Sequence, residues 1–309
     1  MRYLAPMLGN LSPIRLGARR TLRFYPLRLL FSPPRDTIPA MRRRFFVDRF
    51  ESSSANLHGD AAEHLGRVLR AEPGQLYELS DGHRVWLARI ERVAISKRGD
   101  NRIVFALVEP IPAREPALKI ELLLSLIKFD RFEWCIEKAT ELGASKIIPL
   151  AAARSDKPLV AAAPKRLARW EKIVLESAQQ SRRLRPPAMS IPMALEKAFI
   201  ESSASIKILL SEKSDVPSLR TVLKESGSLG SRSFISDKTA AHQEGALAPE
   251  EKASRSVALV IGPEGGWTDG EIASARAAGF IEVSLGENIL RTETAVLASM
   301  AILGFALDG

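Results

Sequence analysis

Two glycine-rich segments near the carboxyl end constrain the fold of this chain more than any other feature. The first, Val257–Trp267, is an apolar run that breaks into a turn containing Gly262, Gly265 and Gly266. A short apolar run rich in β-branched residues and bounded by glycine predicts a strand that is buried on both faces. The glycines predict a sharp turn whose backbone can approach a ligand closely.

The second segment predicts another strand that ends at a glycine. Thr268 and Glu271 match a capping box, which predicts a helix directly after the first turn, ending at Gly279. A strand is then expected over 281–285, followed by Gly286. We expect the two strand-to-glycine exits to lie side by side at the carboxyl ends of a parallel sheet, where ligands of open α/β sheets bind.

Strands and helices are predicted to alternate from residue 115 to the end. This alternation indicates an α/β domain over 115–309 with a mostly parallel sheet covered on both faces. Residues 214–256 are rich in Ser, Gly and Lys, and about 224–255 are predicted to form a flexible insertion. Strands are expected at 118–127, 147–150 and 206–210, and helices from an Asp130 cap to Gly143 and from Pro164 to Gln180.

Residues 41–114 predict a separate, small β-rich domain. Short apolar strands with a hairpin signal at Asp81-Gly82 and one helix over 58–70 are typical of a small barrel. Prolines between 110 and 116 indicate the linker to the α/β domain. Arginines are spread through the small domain, and two interpretations stay open: solvated strand faces, or a platform that contacts phosphates.

Positive charge is concentrated at the amino end. The chain has 309 residues and a net charge of +9, and residues 1–40 contain seven Arg and one acid, a net charge of +6. The other 269 residues carry only +3, so any nucleic-acid interface must rest on local patches. Residues 1–40 are expected to be a disordered extension or to precede the true start at Met41. An organelle transit peptide is the alternative.

Composition argues against several classes of protein. No apolar run reaches the roughly 18 residues typical of a membrane helix, so no membrane partner is expected. Cys135 is the only cysteine, which makes an intramolecular disulfide impossible and favours a reducing, cytoplasmic location. Cys135 itself is expected to be a small buried hydrophobe. The four histidines lack the spacing of metal ligands, so no metal site is expected.

Three local patterns have more than one interpretation. The turn Gly262–Gly266 matches neither a P-loop nor a dinucleotide fingerprint, and by itself is compatible with a plain strand-to-helix turn. The segment Arg291–Thr294 indicates either helix capping by Thr292 or a polar cluster aimed at the glycine turn. The basic region 154–185 fits a solvated helix face, except for its arginine-rich end.

Taken together, the two glycine segments resemble one family. Ile261-Gly-Pro-Glu-Gly-Gly and Leu285-Gly-Glu-Asn-Ile-Leu-Arg-Thr-Glu-Thr-Ala are similar to paired motifs of the RsmE family of 16S rRNA uridine-N3 methyltransferases, within the SPOUT class. The resemblance extends from about residue 41 to the end. Further matches are Arg43-Arg-Phe-Phe-Val, Leu65-Gly-Arg-Val-Leu-Arg, Lys138-Ala-Thr-Glu-Leu-Gly and Leu209-Leu-Ser-Glu.

The resemblance implies a fold and an activity. The fold would be a PUA-like RNA-binding β-barrel over 41–114 and a SPOUT-type methyltransferase domain over 115–309 with a carboxyl-terminal trefoil knot. The activity would be methylation of N3 of a specific uridine in 16S rRNA of the assembled 30S subunit, by a homodimer that uses S-adenosylmethionine. Two alternatives stay open: a SPOUT enzyme acting on the ribose 2′-OH of rRNA or tRNA, and a non-catalytic RNA-binding protein.

Roles for individual residues follow from the resemblance and from the chemistry of the reaction. Arg291 and Arg154 are expected to hold substrate phosphate or the uracil anion, and Glu264 and Glu293 are candidate bases for the N3 proton. The family pattern is altered at Ala153 and over 179–183, on the substrate side. The expected cofactor residues are Leu210, Gly262, Gly265, Gly266, Leu285, Gly286, Ile289, Leu290 and Thr294. The expected RNA contacts are Arg43, Arg44, Arg67, Arg70, Arg182 and Arg183.

Overall fold

The computed structural model describes residues 43–96, 99–228 and 255–307, which belong to one compact unit. The segment 1–40 and most of the predicted insertion at 224–255 therefore lie outside the described residues. Within the described ranges, no helix combines the length and the apolar character needed to cross a membrane.

Two sheets and eight α-helices make up the described secondary structure. The strands are β1 Arg44–Phe46, β2 Ser54–His58, β3 Leu76–Ser80, β4 Val85–Ala94, β5 Arg102–Ile111, β6 Leu118–Ser125, β7 Ala144–Ala151, β8 Ala188–Met189, β9 Met193–Ala194, β10 Ile206–Leu210, β11 Arg255–Ile261 and β12 Ile281–Val283. The α-helices are α1 Gly59–Glu63, α2 Phe129–Glu141, α3 Lys157–Ala162, α4 Leu167–Gln180, α5 Leu195–Glu201, α6 Leu219–Ser228, α7 Asp269–Ala277 and α8 Thr292–Leu307.

The first five strands form one sheet in the order β1-β3-β4-β5-β2. A bridge between Phe50 and Ala55 joins the segment after β1 to β2, so the two edges of the sheet approach each other. Alternating apolar residues turn inward and form a core that includes Phe45, Leu79 and Phe105. This sheet occupies the region where the sequence predicted a β-rich unit.

The other seven strands form a parallel sheet in the order β12-β10-β11-β6-β7-β8, with β9 also paired to β7. Its strands are apolar on both sides because helices cover both faces. One face packs against α2, α4 and α8 through residues such as Phe132, Trp170 and Met300. The opposite face packs against α5 and α7 through Phe199 and Ile272. The predicted α/β class and mostly parallel sheet are confirmed.

The strands that end before Gly262 and Gly286 were predicted to lie side by side, and this prediction is wrong. β11 and β12 are not adjacent, because β10 lies between them and pairs with both. Residues 208–210 of β10 are buried, which suits a strand with a neighbour on each side. Three strands therefore end at the same place, rather than two.

Several predicted boundaries also differ from the structure. The helix expected over 58–70 is a short α1 followed by a π-helix, His64–Val68. Strand β5 continues through Pro110, which is tolerated because β2 pairs only with residues 102–106 and leaves this end of β5 without a second neighbour. The structure adds α3, α5, α6, β8 and β9; the start of α6 was missed although Ser218 precedes it and its hydroxyl accepts from the Thr221 backbone N–H at 3.2 Å.

Two predicted helix starts are corrected as well. Asp130 does not cap α2, because the helix already begins at Phe129 and Lys128 occupies the cap position. The carboxylate of Asp130 instead lies in the first turn, where the helix dipole favours a negative charge. Pro164 opens a 3-10 helix, Ala163–Arg166, and α4 begins only after it.

Candidate functional site

A pocket of about 450 Å³ lies where β10, β11 and β12 end. The volume is within the usual range for sites that bind small molecules. The chain leaving each strand supplies one wall, so residues distant in sequence meet here. We call it the glycine pocket; its lining includes Arg131, Leu210, Glu212, Lys213, Ile261, Gly262, Glu264, Gly266, Trp267, Leu285, Gly286, Ile289, Leu290 and Arg291.

The turn after β11 leaves little room for side chains at its glycines. A Cβ at Gly262 would lie 3.0 Å from the Trp267 ring. That ring is buried, and its indole N–H donates to the Leu210 carbonyl at 2.8 Å, so it cannot easily move aside. Gly266 has φ +70°, a conformation that favours glycine. The turn is thus held close to the pocket by its own packing.

Arg154 holds this turn from outside. Its Nη1 donates to the Gly265 carbonyl at 2.7 Å. Arg154 and Gly265 are both absent from the lining of the glycine pocket. The structure therefore places the predicted Arg154 next to the turn, where it braces the backbone.

The predicted capping box is present and connects the turn to a neighbouring loop. The Thr268 hydroxyl accepts from the Glu271 backbone N–H, and the Glu271 carboxylate accepts from the Thr268 backbone N–H. The same buried carboxylate also accepts from the Ala153 backbone N–H at 2.7 Å. Glu271 thereby fixes the loop that carries Arg154.

The second glycine segment forms the opposite wall of the pocket. Gly286 has φ +132°, and Ile289 and Leu290 are exposed where they line the opening. Thr292 does not cap α8; its hydroxyl donates to the Gly262 carbonyl at 3.3 Å and so joins the two segments. Thr294 is exposed and lies outside the lining, away from the other predicted cofactor residues.

The charged residues at the pocket differ in their surroundings. Glu264 forms an ion pair with Arg131, at the start of α2. Arg291 lines the pocket, and its guanidinium forms no ion pair within the described part of the chain. Sequence reasoning missed Arg131, although it lies in the first turn after β6, the strand beside β11.

Glu293, the second candidate base, points away from the glycine pocket. It lines a small neighbouring cavity together with Asp130, Arg131 and Trp134. Its Oε2 is buried and has no hydrogen-bond partner among the described residues. Burial, and to a lesser degree the charge of Glu293, raises the pKa of Cys135 to about 12. The thiol is therefore uncharged and unreactive at neutral pH, as expected of a buried hydrophobe.

The six arginines predicted to contact RNA fall into two groups. Three of them are exposed in the part of the chain that forms the five-stranded sheet: Arg43, Arg67 and Arg70. Arg67 pairs with Glu63. The other three are held by internal contacts around the chain between α4 and β8. Arg44 and Arg182 pair with the buried Glu78, and Arg183 donates to the Thr140 and Gly143 carbonyls.

No group of three or more His, Cys, Asp or Glu side chains in the described ranges could hold a metal ion. The glycine pocket is lined by the backbone of the glycine turns, by apolar side chains and by a few charged side chains. Such a pocket suits an organic cofactor.

Comparison with known proteins agrees with this architecture. Residues 114–304 match the model of the RNA methyltransferase domain family. Ribosomal RNA small subunit methyltransferase E of Bacillus subtilis is 30% identical over 278 residues, which cover 86% of this chain and 97% of the relative.

Two solved structures are similar over the same range. The Neisseria gonorrhoeae ribosomal RNA small subunit methyltransferase E, bound to S-adenosylmethionine, is 28% identical with a TM-score of 0.66, covering 85% of this chain and 97% of that one. A Legionella pneumophila protein solved with the cofactor S-adenosylmethionine is 27% identical with a TM-score of 0.65, covering 86% and 98%. The chain belongs to the RsmE family of RNA methyltransferases.

Proposed function

We propose that this protein transfers a methyl group from S-adenosylmethionine to N3 of a uridine in 16S rRNA, within the assembled 30S subunit. The observation that carries the proposal is similarity over most of the chain to relatives named for small-subunit rRNA methylation. The glycine pocket supports it, since its two walls are the paired motifs on which the resemblance rests.

The residues of the pocket fit S-adenosylmethionine. Glycines at 262, 266 and 286 let the backbone line the pocket without side chains, and a Cβ at 262 would press on the Trp267 ring. Leu210, Leu285 and Leu290 supply apolar surface beside them. When bound, the cofactor supplies an electrophilic methyl group on a sulfonium.

The protein's own groups would orient the uridine and move one proton. The N3 proton has to leave, and the uracil anion that develops needs a nearby cation. We assign Arg291 to that second task because it lines the pocket without an acidic partner. Glu264 is the better candidate base, since it lines the pocket while Glu293 faces another cavity. Arg154 would act through the turn it braces.

The finer features of the fold belong to the same proposal. A PUA-like barrel is supported by the five-stranded sheet whose edges approach at Phe50 and Ala55. A carboxyl-terminal SPOUT knot is supported by the contact of Thr292 with Gly262, which brings the last helix against the turn after β11. A homodimer is supported by the exposed apolar residues Ile302 and Phe305 on α8.

One experiment tests the reaction. Purified protein is incubated with unmethylated 30S subunits and S-adenosylmethionine carrying a labelled methyl group, and the rRNA is digested to nucleosides for mass spectrometry. We expect N3-methyluridine. A 2′-O-methyl nucleoside would instead identify a ribose methyltransferase, and absence of cofactor binding in calorimetry would identify a non-catalytic RNA-binding protein.

Arg291→Ala provides the matched test of the site. Because Arg291 is assigned to the uracil anion, the variant should keep its affinity for S-adenosylmethionine but methylate 30S subunits at least about 100-fold more slowly. Arg291→Lys should recover part of the rate. Full methylation by Arg291→Ala would show that the assignment is wrong.

A further inference from the structure

A second large cavity lies at the opposite end of the parallel sheet from the glycine pocket. Its volume is about 850 Å³, and its walls are the segment 112–117, the start of β6, the loop before β7 and the loop after α4. Leu118 of β6 lines this cavity, whereas Leu124 pairs with Ile261 beside the glycine pocket. Six residue steps along a strand at about 3.3 Å each separate the two sites by about 20 Å.

Positive charge dominates the lining of this cavity, which we call the basic cleft. Six cationic side chains face a single acid, Glu115. The overall charge of the chain outside residues 1–40 is small, so this concentration is a local feature rather than a consequence of composition. The cations are Arg44, Arg114, Lys119, Arg182, Arg183 and Arg185.

The acids of the protein neutralise this charge only in part, since Arg44 and Arg182 pair with the buried Glu78. Arg185 pairs with Glu115, but Arg183 is satisfied only by backbone carbonyls. Burial lowers the pKa of Arg183 to about 10, and the charge of the neighbouring Arg185 contributes to a lesser degree. An anion in the cleft would offset the positive charge that these two arginines bring together.

Two of the six cations remain available to a ligand. Arg114 and Lys119 are exposed and form no hydrogen bond or ion pair with side chains in the described ranges. Arg114 lies in the linker and Lys119 lies in β6, and both line the cleft with exposed side chains.

We propose that the basic cleft binds the phosphodiester backbone of the substrate RNA at nucleotides away from the methylated uridine. The inference rests on the proposed function, and it adds a second contact region with Arg114 and Lys119 as the residues that bind phosphate. Because the cleft is about 20 Å from the glycine pocket, it cannot bind the uridine that is methylated there. A polyanion that extends beyond the active site fits both the separation and the number of cations.

Chemical footprinting of lysines tests the location without any substitution. The full-length protein is treated with an amine-acylating reagent, with and without a transcript of small-subunit rRNA, and peptides are analysed by mass spectrometry. RNA should protect Lys119 several-fold. Lys197 on α5 lies outside the lining of the cleft and should be modified equally in both samples. Equal modification of Lys119 with and without bound RNA would overturn the proposal.

Charge reversal measures how much Arg114 and Lys119 contribute to the affinity for RNA. Each phosphate contact adds about 0.7 to 0.9 to the slope of log affinity against log salt, so Arg114→Glu with Lys119→Glu should lower that slope by about 1.5. Affinity for RNA at low salt should fall at least tenfold, while affinity for S-adenosylmethionine stays unchanged. The control reverses two exposed lysines elsewhere, Lys172→Glu with Lys197→Glu, and should leave the slope unchanged.

The outcomes separate this inference from the proposed function. If a cleft variant binds S-adenosylmethionine and methylates RNA normally and its salt slope is unchanged, the cleft does not bind RNA. The proposed methyltransferase activity would be unaffected by that result. A wild-type protein that binds RNA through the cleft but never methylates it would support the cleft and overturn the proposed reaction. Melting temperatures of all variants show whether a loss of binding reflects unfolding.

Discussion

At the scale of single residues, the glycine pocket depends on positions where a side chain would be crowded. Gly262→Ala places a Cβ 3.0 Å from the Trp267 ring, which is held by its hydrogen bond to Leu210. Overpacking of this kind costs about 1 to 3 kcal/mol. We expect the variant to lose stability by that amount and affinity for S-adenosylmethionine by at least about tenfold, as measured by urea unfolding and calorimetry.

Gly270→Ala is the matched control. Gly270 lies in the first turn of α7, and an added Cβ there meets nothing within 4 Å. Alanine is the better helix former by up to about 1 kcal/mol, so stability should be equal or higher and cofactor affinity unchanged. Equal behaviour of the two variants would show that the space at Gly262 does not matter.

The single cysteine gives a pH-dependent prediction. The pKa of Cys135 is raised from 9.0 to about 12, above its value in the unfolded chain. The protonated thiol contributes to the free energy of unfolding. This contribution is fully present below pH 9 and is lost as the pH rises towards 12. At pH 10 the loss relative to pH 8 should be about 1.4 kcal/mol. Urea unfolding should show this loss in the wild type but not in Cys135→Ala.

At the scale of elements, the capping box should contribute measurably to stability. Thr268→Ala removes the hydroxyl that accepts from the Glu271 N–H at 3.3 Å and donates to its carboxylate at 2.9 Å. Loss of such a cap typically costs about 1 kcal/mol. Urea unfolding should detect this change, and Thr268→Ser should restore most of the stability. If alanine and serine were equivalent, the cap would contribute nothing.

The same elements show what the sequence could predict. The capping box, the strand before Gly262 and the C-terminal glycine of α7 depend on neighbours within a few residues, and their predictions are confirmed. The insertion of β10 between β11 and β12 depends on pairing across the chain, which no local pattern encodes. Arg131 was missed for the same reason, since 133 positions separate it from Glu264.

At the scale of the whole molecule, a cluster of polar contacts ties the amino-terminal sheet to the chain after α4. Glu78 is buried and pairs with Arg44 at 2.9 Å and with Arg182 at 3.6 Å. The Ser80 hydroxyl donates to the Leu184 carbonyl at 2.6 Å. Residues 179–183 thus lie at a junction within the protein, where arginines make internal contacts and also line the basic cleft.

The proposed homodimer is also a property of the whole molecule, and α8 offers its most direct test. Phe305 is 93% exposed at the end of this helix, one turn from the exposed Ile302, and the proposed dimer rests on these two neighbouring apolar side chains. Phe305→Asp should convert a protein of twice the monomer mass into a monomer in size-exclusion chromatography with light scattering. Ile200→Asp changes a residue that is 82% exposed on α5 and should leave the dimer intact. A wild type that elutes as a monomer, or a dimeric Phe305→Asp variant, would show that this end of α8 does not form the interface.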